Sequence, residues 1–416
     1  MRVGTIMAAG VLAVFLCSAA SASEFRILHS FCASSGCPDG HFPVAALSVD
    51  GQGNLYGTTS LGGADDAGVV FEIERTGDKP VYRRLFSFDN CADCTSGFNP
   101  QTPVMLAANG AVYGTAYFGG THGAGTLFKL TPAAGHWRAH VFHDFCSSSY
   151  CSDGSNPLSG MFYAQSRYGI GYDGKSWAYG TTVGGGPNGY GALYRWAPKR
   201  GEFIAKSFCQ AQGCTDGAQP NGEVAFDDAG YPCGTTRAGG TANQGTLYCL
   251  DDDSDDAWSY AFCSLSNCAD GADPQAGVVP DGDNNVLGTT RFGGQYGQGT
   301  VYAISSGTLP HEEHVVYSFC RLANCADGKN PVSAVLLVGG TLYGTTLGGG
   351  QYGGGTIYRI DPTGHETVLH AFCRASGCSD GYQPQAALST DGNGHLFGTT
   401  TAGGRHGAGT AFELDL

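Results

Sequence analysis

Charged residues are sparse in this chain, 14% of 416, and basic ones sparser still: 21 Lys and Arg against 36 Asp and Glu, a net charge of -15. Nucleic acid and anionic membranes are held through clustered Lys and Arg, so neither is an expected partner. Beyond the N-terminal segment no run approaches the ~20 apolar residues that a membrane helix requires, which argues against insertion into a bilayer. A glycosidase needs two carboxylates flanking the scissile bond. Asp65, Asp66 and Asp273 form too weak a set to supply them.

What the chain has in abundance is glycine, 68 residues, and cysteine, 17. Such composition favours short strands and tight turns over long helices. The first residues run Met1-Arg2, an apolar stretch from Val11 to Cys17, then Ala20-Ser21-Ala22. That is the charged, apolar and small-residue order of a cleavable export signal, expected over residues 1–22 and followed by one mature unit over 23–416. Cys17 follows Leu16 rather than a small residue, so a lipid anchor is not expected. Export predicts a secreted protein, extracellular or periplasmic, in a compartment that permits disulfides.

The tract Leu55-Tyr56-Gly57-Thr58-Thr59 recurs with its Gly at 57, 114, 180, 234, 288, 344 and 398, each time followed by a Gly-Gly turn and an apolar strand. Seven copies of a repeat of about 55 residues, each with four strand-like runs, predict an all-β, seven-bladed β-propeller of four-stranded blades. In the first copy the runs are Phe25 to Phe31 (A), Pro43 to Val49 (B), Asn54 to Thr59 (C) and Gly68 to Glu74 (D). The B to C, C to D and D to A connections read as hairpins, whereas A to B is longer. Blades are therefore expected to run B, C, D and the next repeat's A, with small-residue strand B innermost. The N-terminal A strand would pair with Thr410 to Asp415, closing the ring and hiding two sheet edges. The A to B and C to D loops then share one face, called the top, and a monomer is expected.

Setting Cys17 aside leaves 16 cysteines. Six pairs have four residues between them: Cys32 and Cys37, Cys146 and Cys151, Cys209 and Cys214, Cys263 and Cys268, Cys320 and Cys325, Cys373 and Cys378. Repeat two has Cys91 and Cys94 instead. A redox or zinc role for that pair would need a helix N-terminus or a second ligand pair, and neither is visible. Local disulfides are expected, with Cys233 and Cys249 as a cross-strand bridge.

Asp39, Asp153, Asp216, Asp270, Asp327 and Asp380, with Ser96 in repeat two, follow the second cysteine of each pair and read as turn-formers whose carboxylates accept backbone N–H bonds. The Thr pairs read as blade architecture. Asp281-Gly282-Asp283-Asn284 resembles half a calcium loop without its downstream Glu, and His311-Glu312-Glu313-His314 reads as a solvated turn. No metal and no cofactor are expected.

Scaffold columns repeat and functional columns vary, so the candidate site lies where top-face columns differ. After each GTT stand Ser60, Tyr117, Val183, Arg237, Arg291, Leu347 and Thr401; after each Gly-Gly come pairs including Thr121-His122, Gln295-Tyr296, Gln351-Tyr352 and Arg405-His406. Before the strand B proline stand His41, Asn99, Asn156, Gln219, Asp273, Lys329, Asn330, Tyr382 and Gln383. These columns are expected to ring the channel mouth. Amides and aromatics at a concave mouth suit a glycan, with ligand-binding candidates His41, Asn156, Gln219, Tyr296, Lys329, Asn330, Tyr352, Tyr382 and Arg405. Variable loops that serve no ligand are the plain alternative.

An enzymatic alternative takes Tyr117, His122, Arg237, Arg291 and His406 as catalytic: β-elimination of a uronate polymer needs a cation at the carboxylate, a His or Tyr base and an acid. Some seven-bladed polysaccharide lyases use this combination, an analogy of fold and residue type only. Net negative charge counts against a polyanionic substrate. A protein-interaction scaffold would instead show an exposed apolar patch.

The tandem tract GTTxxGGxxGxGTxF, as from Gly288-Thr289-Thr290 through Gly299-Thr300-Val301-Tyr302, resembles the GloVer repeat family of exported bacterial proteins, often seen beside cell-surface anchor domains. The resemblance spans essentially the whole mature chain. It implies the architecture but no settled activity and no catalytic residues. Two departures stand out: the sequence reaches Leu416 without a sorting extension, so a released protein is expected, and every copy carries a cysteine pair. Repeat three also holds an insertion around Ser166 to Ser176, expected to lengthen a loop beside the site.

Overall fold

The computed structural model describes residues 24–75, 79–89, 95–165, 170–250, 257–306 and 311–416. The expected signal, the Cys91 and Cys94 pair and residues 166–169 of the insertion lie outside these. Seven antiparallel sheets form the blades of a propeller, each built from three consecutive strands and the first strand of the next repeat. Blade one runs outward from Ser48–Val49 through Leu55–Thr59 and Val69–Glu74 to Val81–Ser87. Blade seven runs from Ser389–Thr390 through His395–Thr400 and Thr410–Asp415 to Phe25–Ser30, so the chain's first strand closes the last blade, with Phe25 opposite Leu414.

The innermost strand is shorter than its sequence suggests. Of Pro43 to Val49 only Ser48 and Val49 join the ladder, opposite Tyr56 and Leu55. Proline has no N–H to donate, and the small residues after it line the axis instead of pairing along their whole length. Blade four divides this edge into Ala218–Pro220 and Ala225–Phe226, both on Pro232–Ala238.

Seven apolar clusters fill the seams between neighbouring blades, as at Phe31, Leu47, Val69, Phe71 and Phe397. Each seam repeats one ring pair. The buried Phe that ends an outer strand meets the aromatic of the next blade's third strand: Phe31 and Phe71 at 5.2 Å, Phe208 and Tyr248 at 4.9 Å, Phe372 and Phe412 at 5.3 Å between centroids. This explains the glycine of the GTT tract. A Cβ on Gly288 would lie 2.3 Å from the Tyr302 hydroxyl, and one on Gly57 would lie 2.5 Å from the Phe71 ring. The first Thr reaches across the seam: Thr289 Oγ1 donates to Ser333 O at 2.9 Å and Thr399 Oγ1 to Ala45 O at 3.1 Å.

The crossover loops carry the disulfides. Cys32–Cys37, Cys146–Cys151, Cys209–Cys214, Cys263–Cys268, Cys320–Cys325 and Cys373–Cys378 are local, and Cys233–Cys249 links facing strands of blade four. The recurring aspartates fold these loops: Asp327 accepts the Arg321 and Leu322 amides and the Tyr317 hydroxyl, and Asp153 accepts the Ser147 and Ser148 amides. The stretch His311 to His314 is not a solvated turn. His311 stacks on Trp258 at 3.9 Å, and Glu313 begins a strand with one carboxylate oxygen buried. Among the described residues no helix is long and apolar enough to cross a membrane. Disulfides in this number point to an oxidising, extracellular-type environment.

Candidate functional site

The axial channel is lined by the residues that follow each strand B proline. Its upper neck, about 90 Å3, is bordered by Val44, Gln101, Leu158, Asn221, Gln275, Val332 and Gln385, one from each repeat. Four of these seven positions are amides, and sequence reasoning passed over all of them by treating the strand as scaffold. The available signal was that the residue after an otherwise constant proline varies. Below the neck the channel widens into a chamber of about 920 Å3 walled by Leu47, Phe226, Val278, Val335 and Leu388.

The residues before the proline stand beside this neck and serve mainly as blade connectors. Asn156 and Asn330 hold left-handed backbone, φ 58° and 55°, which amide residues tolerate better than most. Their side chains donate to Tyr117 O at 3.2 Å and Arg291 O at 3.0 Å on the preceding blade. Gln219 has the same backbone, sends its N–H to Tyr190 O at 2.8 Å and leaves its side chain exposed. His41, Lys329 and Tyr382 bridge to Leu61, Gly348 and Ala402 at the upper blade edges. His41 is further engaged by Asp66 at 2.9 Å.

Arg237 projects into solvent without a partner among the described residues, whereas Arg291 faces Asp273 at 3.9 Å and lies over the Phe292 ring. Asp273 also accepts a bond from Gln275 of the neck at 2.8 Å. Tyr117 packs its ring edge-on to Phe118 at 4.5 Å.

The Gly-Gly loops do not join this ring. Their tips fold over the outermost strand of their own blade: the Arg405 amide meets Ser30 Oγ at 3.5 Å, Gln295 meets Ser318 Oγ at 3.2 Å and Thr121 meets Asp144 at 3.1 Å. His122, Tyr296, Tyr352, Arg405 and His406 are therefore exposed at the rim of the disc. Arg405 and His406 line an edge groove with His29 and Asp380, and Tyr352 lines a similar groove with His370 and Glu366. In both grooves burial lowers the histidine pKa, at His29 and at His370, against the pull of Asp39 and Asp380. A tight Gly-Gly turn cannot reach inward past the second strand, so sequence columns that looked concentric separate into mouth and rim. Tyr117, Arg237 and Arg291 thus stand apart from His122 and His406.

The described part of the repeat-three insertion also lies away from the top. Tyr172 is buried, pairs with Ala107 at a turn between the inner strands and packs on Tyr113, on the opposite face.

No curated protein matches the chain. Among solved structures it is similar to a puromycin hydrolase, with 13% identity and a TM-score of 0.47 over 86% of this chain and 50% of that one. It is also similar to the Cps50 (Swd1) β-propeller domain of Myceliophteria thermophila, with 9% identity and a TM-score of 0.49 over 90% and 96%. A luciferin-regenerating enzyme follows at 11% and 0.42, over 91% and 92%. The chain spans about half the length of the puromycin hydrolase, and likeness at this level does not extend to activity. A family model built on the repeat matches residues 12–178, 171–322 and 224–416, and the chain belongs to the Gloeobacter/Verrucomicrobia repeat family.

Proposed function

We propose that this propeller is an exported, monomeric, non-catalytic binding protein that holds a polysaccharide across the top mouth of its axial channel. The observation that carries this reading is the ring of amides at the neck, Gln101, Asn221, Gln275 and Gln385, on a frame stapled by disulfides. Amides both donate and accept, matching sugar hydroxyls, and a rigid frame lowers the ordering cost of binding. A neck of about 90 Å3 is too small to take a sugar ring, so the chain would lie across it, within reach of Arg237 and Tyr117.

Binding is favoured over uronate elimination because the groups that elimination needs are divided. Arg291 already faces a carboxylate, and His122 and His406 lie over the outer strands. Retardation in polysaccharide-containing gels tests the reading: Gln275→Ala combined with Arg237→Ala should abolish retardation while leaving the thermal transition unchanged. Unsaturated products appearing in ultraviolet absorbance would replace the binder with a lyase, and wild-type protein unretarded by every neutral and acidic polysaccharide tried would reject the glycan.

A further inference from the structure

The strand that faces the axis carries small residues at the third position after its proline in six repeats: Ala46, Pro103, Gly160, Gly277, Ala334 and Ala387. The seventh is Glu223. This side chain borders both the neck and the chamber below it, at the junction of the two. No described residue hydrogen-bonds its carboxylate, and it faces no Lys, Arg or His, for neither compartment has one in its lining.

The chamber's other ionisable groups are Asp228, Asp281 and Asp391 at its solvent end, beside the exposed Gly282 and Gly392. Asp391 is neutralised by Arg75 at 3.2 Å and hydrogen-bonded to His395 at 2.7 Å, and Asp281 is engaged by the amides of its own turn. Glu223 is half-buried, a lone carboxylate on mostly apolar walls with no cation beside it, and a ligand that supplies the missing charge gains there.

We infer that the lower chamber binds an amphipathic organic cation, an alkylammonium or similar amine, with its charged head at Glu223 and its apolar body against Leu47, Phe226, Val278, Val335 and Leu388. Each alternative occupant leaves something unmatched. Calcium and magnesium take six or more oxygen ligands and zinc takes four with His or Cys among them, and a single carboxylate on walls without His or Cys supplies neither set. An anion would meet only carboxylates. A neutral apolar molecule would fill the space and leave Glu223 unpaired. About 920 Å3 lies within the range of small-molecule sites, and mostly apolar walls with few convergent polar groups are their usual composition.

Burial pushes the Glu223 carboxyl up to about 7. Binding a cation requires the ionised form, so affinity is full above that value and falls by about tenfold per pH unit below it.

Isothermal titration of purified protein with n-octylammonium, n-octanol and n-octanoate tests the site. Octylammonium should bind one to one at pH 8, clearly tighter than the other two, and several-fold to tenfold weaker at pH 6. Glu223→Gln should lose at least tenfold for octylammonium and nothing for octanol. Ala387→Leu, which narrows the chamber without touching the carboxylate, should weaken octylammonium and octanol together and serves if the Gln variant does not fold. No octylammonium binding to the wild type, or binding no tighter than octanol, would overturn the inference. Octylammonium binding to Arg237→Ala, a residue that lines neither neck nor chamber, should equal that of the wild type, so the failure of either site is read independently of the other.

Discussion

Between neighbouring blades the copies of the repeat present nearly the same parts, whereas along the axis no two copies present the same set. The seams reuse one ring pair and one glycine throughout, and one threonine bond at every seam but that of Thr181, whose hydroxyl finds no partner among the described residues. The axial strands read Val44-Ala45-Ala46, Gln101-Thr102-Pro103, Leu158-Ser159-Gly160, Asn221-Gly222-Glu223 and so on. A closed ring needs seven equal wedges, so its seams must match. The axis bears no such geometric demand once its residues are small enough to pass one another, and this is where one polar or charged side chain changes chemistry without changing shape. Seam substitutions should therefore be read in stability and axial ones in ligand.

The largest effect is expected at the one staple that the other blades lack. Replacing Cys233 and Cys249 by serine opens a loop of 16 residues, a loss of about 3 kcal/mol on the loop-entropy model, visible as a lower denaturation midpoint without reducing agent. A local pair such as Cys320 and Cys325 should cost nearer 2 kcal/mol by the same argument. Next comes Gly288→Ala. Its Cβ would overlap the fully buried Tyr302 ring, and overpacking of this kind costs about 2–3 kcal/mol, measured by chemical denaturation. Thr289→Val removes the hydroxyl that satisfies Ser333 O across the seam and should cost about 1–2 kcal/mol in the same assay, with the ring intact.

The smallest effect separates seams from each other. Blades three, five and six carry Tyr194, Tyr302 and Tyr358 where blades one, two and seven carry Phe71, Phe128 and Phe412, and beside those tyrosines lie Glu202, Glu313 and Glu366 with buried oxygens. Burial, aided by Asp153, Asp270 and Asp327, raises these carboxyls to about 8, 7 and 8. A raised carboxyl pKa contributes stability that is present at low pH and lost as pH rises through the folded value. The melting temperature should rise as pH falls from about 8.5 to 6.5, by the equivalent of roughly 1 kcal/mol after solvent screening. Below that window the buried His29, His143 and His370, whose pKa values burial lowers, must take up protons and oppose the gain. Calorimetry on Glu202→Gln with Glu313→Gln and Glu366→Gln should show the slope flattened, and an unchanged slope would assign it elsewhere.

The ring, the composition of each blade, its closure and the pairing of Cys233 with Cys249 were legible because they are consequences of counting: seven copies, four runs each, one long connection. The candidate site was legible only in part. Sequence identifies which loops share a face but not how far each reaches, so Tyr296, Tyr352 and His406 looked concentric with Arg291 although they rest on the outer strands. Asn156 and Asn330 varied enough to look functional, yet their amides are committed to neighbouring carbonyls. Glu223 was overlooked for the opposite reason: it stands in a strand already explained as crowded scaffold. A single charged residue in a column of Ala, Gly and Pro is a departure that reading for variation in loops alone does not reach.

The pairing of Phe25–Ser30 with Thr410–Asp415 makes the fold a record of arrival order. A chain delivered from its N-terminus holds its first strand unpaired while six blades take shape. Only when residues 410–415 arrive does that strand find its place, and Arg26 reaches Glu413 across 387 positions. Until then blade seven has an open edge, and the circle stays incomplete. Closure of this propeller is therefore set by its own topology, with the arrival of Thr410–Asp415 as its condition.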